Sequence, residues 1–284
     1  MRVRSGLLAA LLAIAAAVPA VAADPVQEAD RPYWRTNLFK RFAYDQKFLF
    51  KEWLPNEVRR PQFYAPILAG LFLGANSKGN GGGLDPTRQS DFASDRSAWQ
   101  ISASHDLTTF GNAPVVAAML GVTYLASRKA GNDDLASAAS LSSEAILDVG
   151  LWTIVIKEVA ARTRPGPQST GAFFQWGKPR SGSFPSGHAA VAFSVATVFA
   201  EQYHDTHKWV PWVAYSTATL IGLARIAVGQ HYPSDVLVGA TLGHSMGEMV
   251  MARDGAQRDD WYRHLTPVYD PATQGWGVGY ERQW

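Results

Sequence analysis

The chain has 284 residues, of which 47% are hydrophobic and 18% charged, a composition that supports a sizeable core and excludes an intrinsically disordered protein. Basic and acidic residues nearly balance, with 26 Lys plus Arg against 24 Asp plus Glu, so the charge does not indicate a nucleic-acid partner. The sequence contains no cysteine, which excludes disulfides and thiolate metal sites.

Residues 1–22 have the pattern of a secretory signal peptide. Arg2 and Arg4 precede an apolar stretch, and Ala20-Val21-Ala22 has the small-x-small pattern of a cleavage site. Because the apolar run is short for a bilayer span, we expect cleavage after Ala22; an uncleaved membrane anchor is the alternative. Loss of the two arginines makes the basic and acidic counts equal, so the sequence predicts a neutral mature chain in the periplasm.

Residues 23–60 form a charged and aromatic N-terminal segment that predicts one amphipathic helix, with Phe39, Phe42, Phe50 and Trp53 facing inward. Residues 61–77 are apolar and free of charge, and the glycine-rich stretch KGNGGGLDP follows them. This stretch lacks the Gly-Lys-Ser/Thr ending of a nucleotide-binding loop, so we interpret it as a flexible connection.

Helix-length apolar segments fill the rest of residues 61–252. Spacings of three and four recur in them, and Pro or Gly marks most boundaries. We therefore predict an all-α fold, a single-domain helical bundle over 61–252. The polar C-terminal tail, 253–284, is expected to be irregular or to form a short strand. The predicted helices lie near 93–108, 113–129, 137–160, 187–204, 209–228 and 234–252.

The first polar cluster of interest ends a predicted helix. Lys157 closes the apolar run ILDVGLWTIVIK, and Arg164 directly precedes Pro165, which prevents further helix. Taken alone, the pair also fits a lysine whose stem packs on apolar surface and a helix-ending arginine.

The second cluster is Pro185-Ser186-Gly187-His188, at the start of a predicted helix. Ser186 can cap the helix, and Gly187 lets a ligand approach the backbone. The unpaired N–H groups of the first turn make such a helix start an anion-binding site. On its own, this tetrapeptide equally fits a capped helix with a hydrogen-bonded histidine.

The third cluster runs from Arg225 to Asp235. Pro233 starts the next helix, so Asp235 lies in its first turn, where it can accept a hydrogen bond from one imidazole nitrogen of His231. The other nitrogen is then unprotonated and nucleophilic. Asp235 could instead simply complement the helix dipole.

Together the clusters favour an anion site at converging helix ends. Lys157, Arg164 and Arg225 would be costly near an apolar core unless they faced an anion. A tetrahedral phosphate is the obvious candidate, because guanidinium groups bind its oxygens in pairs.

The spacings Lys157-x6-Arg164-Pro165, Pro185-Ser186-Gly187-His188 and Arg225-x5-His231-x3-Asp235 resemble the signature of the type 2 phosphatidic acid phosphatase superfamily. The resemblance covers about residues 157–240. One position departs from it: Ala224 stands where the family usually has serine before the arginine, which removes one hydroxyl but no charged group.

The resemblance implies a phosphatase that needs neither metal nor cofactor. His231 would be the nucleophile that forms a phosphohistidine, Asp235 would orient it, and His188, as imidazolium, would protonate the leaving alkoxide. The phosphate oxygens would be held by five residues: Lys157, Arg164, Ser186, Gly187 and Arg225.

Two other members of the superfamily remain as alternatives. An integral membrane lipid phosphatase acting on phosphatidate or polyprenyl diphosphate would need six spans, but most apolar segments here are short and several contain charged residues. A vanadium-dependent haloperoxidase would hold vanadate in the same pocket. We favour a periplasmic phosphomonoester hydrolase with peripheral membrane contact as an option. Substrate choice is expected to depend on pocket walls from residues 24–130, and the sequence does not indicate an oligomeric state.

Overall fold

Helices make up most of the part of the chain that the structure describes. The computed structural model describes residues 33–76, 84–85, 97–166, 169, 171–177, 182–254, 265–270 and 275–280. The predicted signal peptide lies outside the described residues, as does the glycine-rich stretch apart from Leu84 and Asp85. The helices are α1 (Leu38–Phe48), α2 (Leu54–Glu57), α3 (Pro61–Ala75), α4 (Ala98–Thr109), α5 (Ala113–Ala130), α6 (Asp133–Ala160), α7 (Gly187–Tyr203), α8 (Trp209–Ala227) and α9 (Pro233–Arg253).

The all-α prediction is confirmed, and each of the six predicted helical segments corresponds to one helix from α4 to α9. The helix ends follow from the expected signals. Asn132 caps α6 by accepting a hydrogen bond from the Leu135 amide, Ser186 caps α7, and Pro233 begins α9. In the tail, strands Leu265–Asp270 and Gly275–Tyr280 pair as an antiparallel hairpin.

The centre of the bundle is a close contact between α7 and α9. A Cβ built on Gly239 would collide with the Ser186 carbonyl oxygen, and one on Gly243 would collide with the Ala190 carbonyl oxygen. Any side chain at these positions would push the helices apart. The glycines of α9 therefore set the distance at which Ser186, at the start of α7, meets Asp235, at the start of α9.

The N-terminal helix α1 is oriented differently from the sequence prediction. Phe39 and Phe50 are 70% and 53% exposed, so their predicted inward placement is wrong, whereas Phe42 and Trp53 are partly buried. The inner face of α1 instead carries Arg41 and Asp45. These side chains face charged partners on the bundle: Arg41 lies 3.2 Å from Glu144 of α6, and Asp45 lies 2.6 Å from Arg253 of α9.

One described helix, α6, is long and apolar enough to cross a membrane, and the bent pair of α4 and α5 passes the same test if counted together. Half of the apolar window of α6 is buried inside the bundle, where α6 packs against α5, α7 and α9. We therefore treat α6 as the core helix of this bundle.

Candidate active site

Four helix ends converge on one site and bring together the eight residues predicted from the sequence. The C-terminal ends of α6 and α8 contribute Lys157 and Arg225, and the N-terminal ends of α7 and α9 contribute Ser186 and Asp235. The Ser186 amide donates to the Asp235 carbonyl oxygen at 2.8 Å, which joins the starts of α7 and α9 directly.

Lys157 lies beneath the loop that leads into α7. Its Nζ donates to the carbonyl oxygens of Gly182, at 2.8 Å, and of Pro185. Burial, with the nearby charges of Arg164 and Arg225, lowers the pKa of Lys157 to about 7. The lysine thus holds the loop and adds positive charge to the site.

The start of α7 has the form of an anion site. The Ser186 side chain caps the helix by accepting from the Ala189 amide at 3.4 Å. At Gly187 a Cβ would meet other side chains only at ordinary distances, the nearest being Thr153 Cγ2 at 3.6 Å. Internal packing therefore does not require glycine there, and the open space leaves the backbone accessible to a ligand.

The two predicted arginines lie close to each other. Arg164 donates to the Gln230 carbonyl oxygen at 3.2 Å. Arg225 has a buried Nε with no hydrogen-bond partner among the described residues. Burial and the charge of Arg164 lower the pKa of Arg225 to about 10. A buried guanidinium N–H without a partner beside a second guanidinium is the environment expected where an anion binds.

His231 is buried at the end of a tight turn whose amides, at Gln230 and His231, donate to the Arg225 carbonyl oxygen. The turn requires a positive φ, +66°, at Gly229. His231 Nδ1 lies 3.6 Å from Asp235 Oδ2, which is beyond hydrogen-bond distance but close enough for attraction. The Nε2 atom is therefore the ring nitrogen left for chemistry.

Asp235 is fully buried and its carboxylate accepts several hydrogen bonds. Arg162 Nη1 donates to Oδ1 at 2.6 Å, and the Ser183 hydroxyl and Tyr232 amide donate to Oδ2 at 2.5 and 2.9 Å. Burial alone would raise the pKa of Asp235, but the Arg162 charge, the nearby His231 and the hydrogen bond from Ser183 hold it well below its usual range. Asp235 is consequently a fixed negative charge beside His231.

Arg162, Asp85 and Ser183 belong to the site but were not predicted. Besides Asp235, the Arg162 guanidinium donates to Ser234 Oγ at 2.6 Å, to Asp85 Oδ2 at 2.7 Å and to the Gly171 carbonyl oxygen at 2.9 Å. The Asp85 carboxylate also accepts from the Ser234 amide at 3.0 Å. The sequence signal that could have revealed Arg162 is its position in KEVAARTRP, as a second arginine two residues before the Arg164-Pro165 pair.

Both active-site histidines are neutral near pH 7 in the described environment. Burial, together with Arg225, His231, Arg164 and Lys157, lowers the pKa of His188 to about 3. Burial also lowers the pKa of His231 to about 4, against the opposing effect of Asp235. A neutral His231 suits a nucleophile. The imidazolium predicted for His188 requires an added negative charge, which a phosphate dianion among the same cations would supply.

Two histidines, a fixed carboxylate and three cations at converging helix ends make a site suited to binding and attacking a tetrahedral anion. The sequence model of the PAP2 superfamily matches residues 137–258, which contain every predicted site residue. This match confirms the resemblance drawn from the three motifs.

Individual relatives match only part of the chain. A lipid A 1-phosphatase from Porphyromonas gingivalis is 42% identical over 67 residues, 24% of this chain and 15% of the relative. An undecaprenyl-diphosphatase from Sulfolobus acidocaldarius is 34% identical over 89 residues, 31% of this chain and 42% of the relative. The chain thus spans less than half the length of either protein.

A solved structure shares the fold. The transmembrane PAP2-type phosphatidylglycerolphosphate phosphatase of Bacillus subtilis matches 70% of this chain and 99% of its own length, with a TM-score of 0.51 and 22% sequence identity. This likeness supports the helical architecture.

The buried Arg162 should be essential for the stability of the site. Replacing it by Met leaves the Asp85 and Asp235 carboxylates buried without their cation, so we expect Arg162→Met to lower the free energy of unfolding by about 3–5 kcal/mol. Arg128→Met is the matched control. Arg128 pairs with the exposed Asp133, and its loss should cost less than about 1 kcal/mol. Denaturant unfolding of both variants measures the difference, and equal losses would contradict the assignment.

Anion binding should change the charge of His188. We expect an NMR pH titration to give a pKa of about 3 for His188 in the free protein. Saturating orthophosphate should raise it toward the ordinary value of about 6.5, because the anion offsets the surrounding cations. The NMR signals of the exposed His204 provide an internal control and should not change when phosphate is added. An unchanged His188 pKa in saturating phosphate would place the anion elsewhere.

Proposed function

We propose that this chain is a metal-independent phosphatase that hydrolyses lipid phosphates through a phosphohistidine on His231. The observation that carries the proposal is the buried, neutral His231 beside the fixed Asp235 charge, within the cluster of Lys157, Arg164 and Arg225. The relatives support the reaction class, since the two named above are a lipid A 1-phosphatase and an undecaprenyl-diphosphatase. Their names favour a phosphatase over the haloperoxidase alternative.

In the proposed reaction, His231 Nε2 attacks phosphorus and forms a P–N bond while the ester P–O bond breaks. The bonding electrons leave with the alkoxide oxygen, which takes a proton from His188. Water then gives a proton to His188 and attacks phosphorus, and the P–N bond breaks to release orthophosphate. Lys157, Arg164, Arg225 and the amides at the start of α7 would hold the equatorial oxygens, where charge develops.

His231→Asn tests the covalent step. Rapid acid-free quenching of wild-type protein during turnover of a ³²P-labelled phosphate ester should trap label on His231, identified by peptide mass spectrometry. The Asn variant should trap none and turn over at least about 10³-fold more slowly, because it lacks the nucleophile. His204→Asn, at an exposed histidine, should behave as wild type. Normal turnover by the His231 variant, with its fold verified by circular dichroism, would refute the mechanism.

We further propose that the protein is associated with a membrane, the alternative that the sequence analysis placed second. Large apolar side chains are exposed on α4, α5 and α8, including Trp99, Leu125 and Trp212, the last 79% exposed. Such a surface is too apolar for an ordinary soluble face and fits contact with lipid. The names of the lipid A 1-phosphatase and the undecaprenyl-diphosphatase, which denote lipid substrates, support the same location.

Fractionation of cells that express the protein tests the location. Because apolar contacts resist ionic strength, we expect the protein to stay with membranes in high salt and to require detergent. Trp212→Glu should increase the fraction released by salt, whereas Thr206→Glu, which adds the same charge in the adjacent exposed loop, should not. Recovery of the wild-type protein in the soluble fraction would contradict membrane association and support the periplasmic prediction.

A further inference from the structure

An apolar groove of about 610 Å³ lies between α5, α7 and α8. Its walls are almost entirely hydrocarbon, contributed by residues such as Leu120 on α5, Val195 and Phe199 on α7, and Val213 on α8. The volume lies within the usual range for a small-molecule site. The catalytic chemistry described above does not use these walls.

The groove runs along two helices. On α7 it extends from Ala192 to Tyr203, and on α8 from Ile221 back to Trp209. A helical rise of 1.5 Å per residue gives a length of about 18 Å. That length is close to half of the roughly 30 Å hydrocarbon core of a bilayer, the depth that one lipid chain occupies.

One end of the groove adjoins the active site. Ala192 lies one turn after His188 on α7, and Ile221 lies one turn before Arg225 on α8. At the corner between α4 and α5, a Cβ on Gly111 would be 2.7 Å from Ile221 Cγ2 and 3.1 Å from His188 Cβ. The same corner therefore contacts both His188 and the groove wall.

We propose that this groove binds one hydrocarbon chain of the lipid phosphate whose phosphoryl group lies among Lys157, Arg164 and Arg225. The inference rests on the proposed function and names the part of the substrate that the catalytic residues do not recognise. The occupant follows from charge: a cationic cluster that adjoins an apolar trough about 18 Å long complements an amphiphile with an anionic end and a single extended chain. Val213 of the groove wall and its chain neighbour Trp212 are both exposed and apolar, so a lipid chain can enter the groove there from a membrane.

Thr217 and Thr219 of α8 provide a matched test. Both threonines are exposed on the same helix, but Thr217 lines the groove and Thr219 does not. Thr217→Phe fills the groove without touching a catalytic residue, and Thr219→Phe adds the same ring outside it. The probes are butyl phosphate and dodecyl phosphate, used below the concentration at which the latter forms micelles.

For wild-type protein we expect kcat/KM to be at least about tenfold higher for dodecyl than for butyl phosphate, since burial of each methylene favours binding. Thr217→Phe should remove most of that preference and leave the butyl phosphate value within about twofold of wild type. Thr219→Phe should keep the preference. Isothermal titration of dodecyl phosphate binding to the three proteins should give the same order.

Each contrary result has a distinct meaning. Hydrolysis of both esters by wild-type protein without a chain-length preference would overturn the groove assignment and leave the phosphatase intact. Equal losses on both esters in Thr217→Phe would show that the ring acts through the fold, and would overturn it too. Failure to hydrolyse any phosphate ester would overturn the proposed function, and with it the chain site.

Discussion

The candidate active site depends on one buried arginine. Arg162 is fully buried, yet its guanidinium contacts carboxylates from two distant parts of the chain, Asp85 and Asp235. Its own carbonyl oxygen accepts from the Gly182 and Ser183 amides at 2.9 Å, so its backbone also fixes the loop that leads to Ser186. A single residue thereby sets the relative positions of all three motifs. Burial of such a charge is costly and is tolerated here because every side of the guanidinium has a partner: two carboxylates, a carbonyl and the face of Tyr232, 4.2 Å from its centre.

Much of this arrangement could be predicted from the sequence, because the signals that mark helix ends lie within a few residues of those ends. Apolar periodicity, Asn132, Ser186 and Pro233 mark helix ends within a few residues, and the active-site residues lie at those ends. What could not be predicted depends on contacts between distant segments. Asp85 meets Ser234 across 149 residues, and no local pattern indicates that pair. Arg162 and Arg164 look equivalent in the sequence, but Ala161, with a φ of +40°, reverses the chain so that only Arg162 enters the core.

The N-terminal helix illustrates the same limit. The spacing of its apolar residues predicts a helix correctly, but the side of α1 that faces inward is set by its partner. Glu144 and Asp148 on α6 provide carboxylates at the contact, and Arg41 and Gln46 face them, which leaves Phe39 exposed. Amphipathic periodicity shows that a helix has one apolar and one polar face. It does not show which of the two faces packs against a charged neighbouring helix. In a protein beside a membrane, the aromatic face can be the outer one.

The electrostatics of the site suggest that His188 becomes protonated only when the phosphate substrate is bound. Lys157, Arg164 and Arg225 attract an anion, but the same charges hold the pKa of His188 down to about 3, so the free protein has no general acid near neutral pH. A phosphate dianion that enters the cluster would offset the positive charge around His188 and so favour the imidazolium. The proton would therefore be acquired with the substrate and be present at the leaving oxygen only when a phosphoryl group is bound. In the proposed arrangement, a phosphate lipid whose chain lies along α7 and α8 would place its ester bond at His231 and would also charge the acid that assists its cleavage.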